Sequence, residues 1–161
     1  MKRSNVTSMT QAAMIAALYI VLTFVANALG LASGSIQVRF SEALTILPYF
    51  TPAAIPGLFA GCLLANILTG CALPDIIFGS IATLIGALFT YCLRKYKWLA
   101  SVPPILANVI IVPFVLLFAY GIRPLWLSFI TVGIGEIISC GVLGMILLFS
   151  LEKNGKIFPK E

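Results

Sequence analysis

The chain has 161 residues, of which 61% are hydrophobic and only 9% charged, and its mean hydropathy is +1.11. A soluble domain averages about 45–50% apolar and about 25% charged residues, and so short a chain has too little interior to hide this much apolar surface from water. The composition therefore places the protein in a membrane and excludes soluble enzymes, nucleic-acid modules and disulfide-stapled secreted domains. The net charge of +5 comes from basic residues at the chain ends and in one loop, a topology pattern rather than a nucleic-acid footprint.

Apolar runs between polar or Pro/Gly breaks predict an all-α integral membrane protein with six spans, at about residues 10–29, 41–50, 52–69, 74–93, 103–120 and 124–151. They form one compact bundle over residues 1–161, with no linker, repeat or second domain. Span one follows Lys2 and Arg3. Ala26-Asn27-Ala28 resembles a signal-peptidase site, but the apolar run exceeds the usual 7–15 residues and is read as a retained span. It carries Ala12-Ala13 and Ala16-Ala17, two overlapping A-x-x-x-A pairs that allow close helix approach.

Span two is too short to cross about 30 Å of hydrocarbon as a plain helix. It could be shielded by neighbours, be extended by residues before Ser41, or form a broken hairpin with span three around Thr51-Pro52 and Pro56. Arg39, Glu42, Thr45 and Tyr49 recur on it at three- and four-residue steps and predict a polar stripe. Span three has small residues at Ala53, Gly57, Gly61 and Ala65, read as a packing seam within the bundle, and Asn66 near one end. Span four opens with Pro74 and Asp75 and predicts a stripe through Gly79, Thr83 and Ala87. Pro52, Pro103 and Pro124 likewise stand where helices begin, the position at which proline is tolerated. Span six carries Glu136 about twelve residues in, ~18 Å from its starting mouth at ~1.5 Å per residue.

The basic clusters are Lys2 and Arg3; Arg94, Lys95 and Lys97; and Lys153, Lys156 and Lys160. Four crossings and then two put all three in the cytoplasm, with both termini inside and only Arg39 and Arg123 facing outward. Tyr96, Trp98, Tyr120 and Trp126 fall at the expected membrane interfaces.

The chain has no histidine, which removes Ser-His-Asp catalysis, His-ligated zinc and the usual neutral-pH proton relay. No G-x-x-x-x-G-K-[ST] loop is present for ATP. Cys62, Cys71, Cys92 and Cys140 lack C-x-x-C spacing and read as small packing residues. Neither a cofactor, nor a metal, nor an enzymatic reaction is expected. Of five acids, Glu152 and Glu161 lie in the tail, whereas Glu42, Asp75 and Glu136 fall within or beside spans. A carboxylate at the bilayer centre costs about 2.5–3.5 kcal/mol, so it marks a cavity, a partner charge or a ligand. Together with Asn27 and Asn66, these acids could line one pocket open to the outside. The plainer readings are an Arg39–Glu42 pair, Asp75 as a helix-start acid and the asparagines as interhelical glue. Glu136 has no basic residue in sequence reach.

The segments Ile36–Leu44, Leu47–Gly57, Asp75–Ser80 and Gly133–Glu136, with the double alanine motif, resemble QueT-type proteins over about Thr10–Leu151. These are substrate-binding S components of energy-coupling-factor (ECF) transporters. The resemblance implies uptake of a queuosine precursor, a deazaguanine, bound on the outer side of the bacterial cytoplasmic membrane. It implies partnership with a transmembrane coupling subunit and two ATPase subunits, with Ala12, Ala13, Ala16 and Ala17 against the coupling subunit. A guanine-like edge offers two neighbouring N–H donors that one carboxylate can accept. Glu136 is the expected acceptor. Glu42 or Asp75 would balance a cationic aminomethyl group, Asn66 would meet a carbonyl, Tyr49 would stack on the ring, and Arg39 completes the expected binding set. Two other classes compete: a self-sufficient ion-coupled transporter acting as a homo-oligomer with Glu136 as coupling acid, and a membrane enzyme built on Asp75 and Glu42.

Overall fold

The computed structural model describes residues 3–31 and 36–153; Lys2, Lys156, Lys160 and Glu161 lie outside them. Helix α1 covers Arg3–Ala28 and closes at Gly30, whose φ of 72° is open to glycine without strain. A ten-residue 3-10 helix follows over Phe40–Tyr49, then α2 over Ala54–Leu68. A π-helical turn at Asp75–Gly79 leads into α3 at Ser80–Cys92. Helix α4 spans Val102–Tyr120, with proline in its first turn. Helices α5 (Leu125–Glu136) and α6 (Gly144–Lys153) are joined by a π-helical stretch at Ile137–Leu143. No strand occurs among the described residues.

Four helical runs are long and apolar enough to cross a membrane: Val6–Ala28, Asp75–Cys92, Lys97–Tyr120 and Leu125–Lys153. They correspond to predicted spans one, four, five and six. The second and third predicted spans appear as the 3-10 helix and the 15-residue α2, both shorter. The 3-10 geometry explains how ten residues reach so far. At a rise of about 2.0 Å per residue they cover ~20 Å, against ~15 Å in an α-helix. Every residue from Ser41 to Pro48 is buried, so this segment is sheathed by its neighbours rather than by lipid.

Apolar side chains that would face lipid elsewhere converge on this segment. Ile46 and Leu47 pack with Ile15, Tyr19, Leu58, Cys62 and Leu148 in one core. Helices α1 and α2 meet along the small-residue seam. A methyl added at Gly57 would lie 2.7 Å from the Ala12 carbonyl oxygen, and one at Gly61 would lie 3.0 Å from the Ala16 Cα. Such distances are what small-xxx-small faces permit. The seam is thus internal, as the sequence suggested. The alanine motif is divided by it: Ala12 and Ala16 sit against α2, whereas Ala13 and Ala17 are exposed.

The two ends of the bundle differ in charge. At one end, Lys97 forms an ion pair with Glu152 and lies 4.6 Å from the Phe149 ring centroid, while Trp98 packs on the same ring at 5.4 Å. Gln11 meets Thr51 here as well, at 3.2 Å. Arg94, Lys95, Lys97 and Lys153 therefore share this end. The opposite end gathers the last turn of α1, the stretch before Phe40, the loop into Asp75 and the end of α4, where the Tyr120 hydroxyl accepts a hydrogen bond from the Ala72 amide at 3.0 Å.

Candidate functional site: a polar hollow above a buried acid pair

A cavity of about 260 Å³ opens at the end away from the basic cluster. Thr23, Ala26 and Asn27 of α1 wall it on one side, and Asn66, Thr69, Cys71 and Asp75 on another; Gln37, Arg39 and Tyr120 complete its polar lining. The π-helical turn sets the geometry at Asp75. Gly79, one turn on, leaves room beside it: a methyl there would stand 3.2 Å from Asp75 Oδ1 and 3.4 Å from Asn66 Nδ2. Asp75 is 5% exposed. Tyr120 donates to its Oδ2 at 3.4 Å, and Asn66 donates to its backbone oxygen at 3.4 Å. The predicted stripe of Asp75, Gly79, Thr83 and Ala87 is buried throughout.

Beyond Gln37 and Arg39 lies a second, much smaller compartment of about 20 Å³, lined also by Glu42, Thr83, Asn108 and Glu136. That volume is of the order of a single water molecule. Glu42 accepts a hydrogen bond from the Tyr19 hydroxyl and faces the Asn108 amide at 3.5 Å. Glu136 faces inward at 9% exposure and accepts from the Cys140 thiol at 3.1 Å. One ligand atom each from Glu42, Glu136 and Cys140 lie within 4.8 Å of one another, the one such group among the described residues. Cys140 engages Glu136, and its sulfur also approaches the Glu42 backbone oxygen at 3.4 Å.

Arg39 connects the two compartments, lining both. Its backbone amide donates to Ser139 Oγ at 3.1 Å. Its guanidinium makes no direct ion-pair contact among the described residues. It stands between two acid-bearing spaces, where the Asp75 and Glu42 carboxylates act on it by charge at longer range rather than by direct contact.

The structure thus brings Arg39, Glu42 and Glu136 together, and Arg39, Asn66 and Asp75 together. Two expectations need correction. Glu136 does not line the large hollow; Asp75 does. Tyr49 lines neither space, and its ring packs on Phe50 with centroids 4.9 Å apart, at the far end of the 3-10 helix. The cause is pitch. At three residues per turn, Glu42 and Thr45 stay on one face, and the Thr45 hydroxyl donates to the Glu42 carbonyl at 2.6 Å. Tyr49, four steps beyond Thr45, is rotated about 120° away, where a 3.6-residue pitch would have kept it below.

Residues not anticipated are Tyr19, Gln37 and Asn108, with Tyr120 placed only at an interface. Asn108 and Tyr19 are polar groups inside apolar runs, the same signal that singled out the acids, and both are buried.

The labelling pattern of two cysteines checks this two-ended picture. Cys71 lines the hollow and Cys92 is exposed near the basic end. A membrane-impermeant maleimide applied to intact cells should modify Cys71 and spare Cys92 until the membrane is permeabilised. The reverse order would invert the orientation.

Long apolar helices around a polar hollow define a multi-pass membrane protein. The chain belongs to the QueT transporter family, whose profile, described as QueT transporter, matches residues 9–153. It is similar to the queuosine precursor transporter QueT of Lactococcus lactis subsp. cremoris (strain MG1363), 33% identical over 85 residues, which cover 53% of this chain. The match spans about half the length of that relative, 50%. No solved structure matches the chain.

Proposed function

We propose that this chain is the substrate-binding S component of an energy-coupling-factor importer. It would capture a deazaguanine-type queuosine precursor from outside the cytoplasmic membrane, with six crossings and both termini inside. The observation that carries the reading is the hollow itself, which presents a buried carboxylate, a guanidinium and three side-chain amides at the end opposite the basic cluster. The family membership and the name of the Lactococcus relative support the substrate class.

In this reading Asp75 accepts the two neighbouring N–H groups of the guanine-like edge, and Arg39 donates to the ring carbonyl. Asn27 and Asn66 meet the remaining polar atoms, and Tyr120, rather than Tyr49, is the aromatic wall. Glu42 and Glu136 supply negative charge beneath Arg39 and hold it between the compartments. Ala13 and Ala17 are left to face the transmembrane coupling subunit, which in turn engages two ATPase subunits, while Ala12 and Ala16 serve α2.

A thermal-shift panel on the purified chain tests the proposal. Ligand stabilisation follows RT ln(1 + [L]/Kd), about 2.7 kcal/mol at a hundredfold excess over Kd. Deazaguanines should raise the melting temperature and unrelated vitamins should not. A flat response to deazaguanines would overturn the substrate class.

The juxtaposed Glu42 and Glu136 favour a second reading, a self-sufficient transporter in which the acid pair couples uptake to an ion. Proteoliposomes holding this chain alone decide between the two. Uptake driven by an ion gradient, without ATPase subunits, would select the second.

A further inference from the structure

Tyr120 ends α4, and Gly121 turns the chain away after it with a φ of 65°. Two hydrogen bonds meet at its hydroxyl, on the rim of the hollow: it accepts from the Ala72 amide at 3.0 Å and donates to Asp75 Oδ2 at 3.4 Å. Ala72 is held at its carbonyl as well, which accepts from the Asp75 amide at 2.9 Å and the Ile76 amide at 3.0 Å. The other hydrogen bonds of the loop through residues 69–75 run back to α2, as from the Cys71 amide to the Asn66 carbonyl at 3.0 Å. Among the described residues, the phenol is therefore the one hydrogen-bonded tie from α4 to this wall of the hollow. Asp75 Oδ1 lies beside Gly79, where an added methyl would stand 3.2 Å from it.

A carboxylate on so short a side chain turns easily, because the last torsion of aspartate is broad and roughly two-fold. A hydroxyl on one oxygen limits that rotation, and holding a receiving group in its bound orientation raises affinity by removing an ordering cost. We propose that Tyr120 is a positioning residue whose hydroxyl sets the plane of the Asp75 carboxylate, so that both oxygens meet the two neighbouring N–H donors of a guanine-like edge together. The inference rests on the function proposed above and deepens it, assigning discrimination for the 2-amino group to a hydroxyl that acts through Asp75. An ionised carboxylate has about four acceptor sites, enough for the phenol and both donors. Ring and hydroxyl of Tyr120 then have separate duties: the ring walls the hollow, and the hydroxyl aims the acid. A carboxylate free to turn would still accept the ring N–H but would lose much of the gain from the second donor.

The test is titration calorimetry on the full chain with two probes, 7-aminomethyl-7-deazaguanine and the same compound without its 2-amino group. The readout is the ratio of the two affinities, which a general loosening of the site would leave unchanged. In the unaltered chain the complete base should bind more tightly. Tyr120→Phe keeps the ring, removes the hydroxyl and should lower the ratio by about threefold to tenfold. Gly79→Ala crowds Oδ1 instead and should lower it too. Ligand-free melting identifies either variant that fails to fold, and the other then carries the test. Added to Asp75→Asn, Tyr120→Phe should cost little more, since both changes act through one side chain. A ratio unmoved in a folded variant, fully additive losses in the double variant, or an unaltered chain that binds both probes alike would overturn the positioning role and leave the proposed function standing. Binding of neither probe would overturn both.

Discussion

Replacing Asp75 with asparagine should weaken binding of a deazaguanine by about 10- to 100-fold in titration calorimetry, the largest loss of any single polar substitution in the hollow. A carboxylate can accept both N–H donors of the guanine-like edge, whereas an asparagine amide presents one acceptor beside a donor that opposes the second. A hydrogen bond to a charged group is worth about 1.5–3 kcal/mol, and each 1.4 kcal/mol is a factor of ten. The fold should tolerate the change. Asn is close to Asp in shape, and the side chain's protein partner is a single hydroxyl at 3.4 Å, the Tyr120 OH. Ligand-free melting should therefore stay near that of the parent. Glu136→Gln, altering a group outside the large cavity, should reduce affinity less. The opposite ranking would move the ligand into the deep compartment and would require that space to open.

The second large effect is expected at Gly135. A methyl group there would overlap the backbone oxygen of Gln37 and stand 3.2 Å from its carbonyl carbon. Backbone cannot swing aside as a side-chain tip can, so Gly135→Ala has to displace the stretch around residues 37–39 or bend α5. Overpacking of this kind costs about 1–3 kcal/mol. More consequential is what the stretch carries: Gln37 and Arg39, which line both compartments. Affinity should fall by more than about tenfold, together with a lowered melting temperature. Gly133→Ala is the internal control, because a methyl at that position would meet only Val109 Cγ2 at 3.8 Å. Equal tolerance of both substitutions would refute the close approach of α5 to this stretch.

Much of this architecture is legible from residue order, and the reasons are physical. Long apolar runs have few alternatives in lipid, so α1, α3, α4 and the α5–α6 run fall close to expectation. The stripe from Asp75 to Ala87 and the Gly57–Gly61 seam follow from helical periodicity. Three acids in so apolar a chain mark the interior correctly, and all are buried. Periodicity misleads at Tyr49, because it assumes a pitch that the 3-10 helix does not keep. It also cannot rank depth: Glu136 lies deep along its helix, but which cavity it meets depends on Arg39 and Gln37, which reach the site from an irregular stretch. Asn108 and Tyr19 carry a signal as polar groups inside apolar runs, but that signal does not say which acid they meet across the bundle.

The divided alanine face has a practical corollary for mutagenesis. Neighbouring letters in the Ala12–Ala17 stretch answer to separate demands. Bulk introduced at Ala12 or Ala16 would wedge α1 off α2 and would surface as poor yield of the chain itself. Bulk at Ala13 or Ala17 would leave the isolated chain sound and be felt only by whatever settles against that outer flank. The stretch thereby offers a clean genetic separation between making the molecule and the docking proposed for its outer flank.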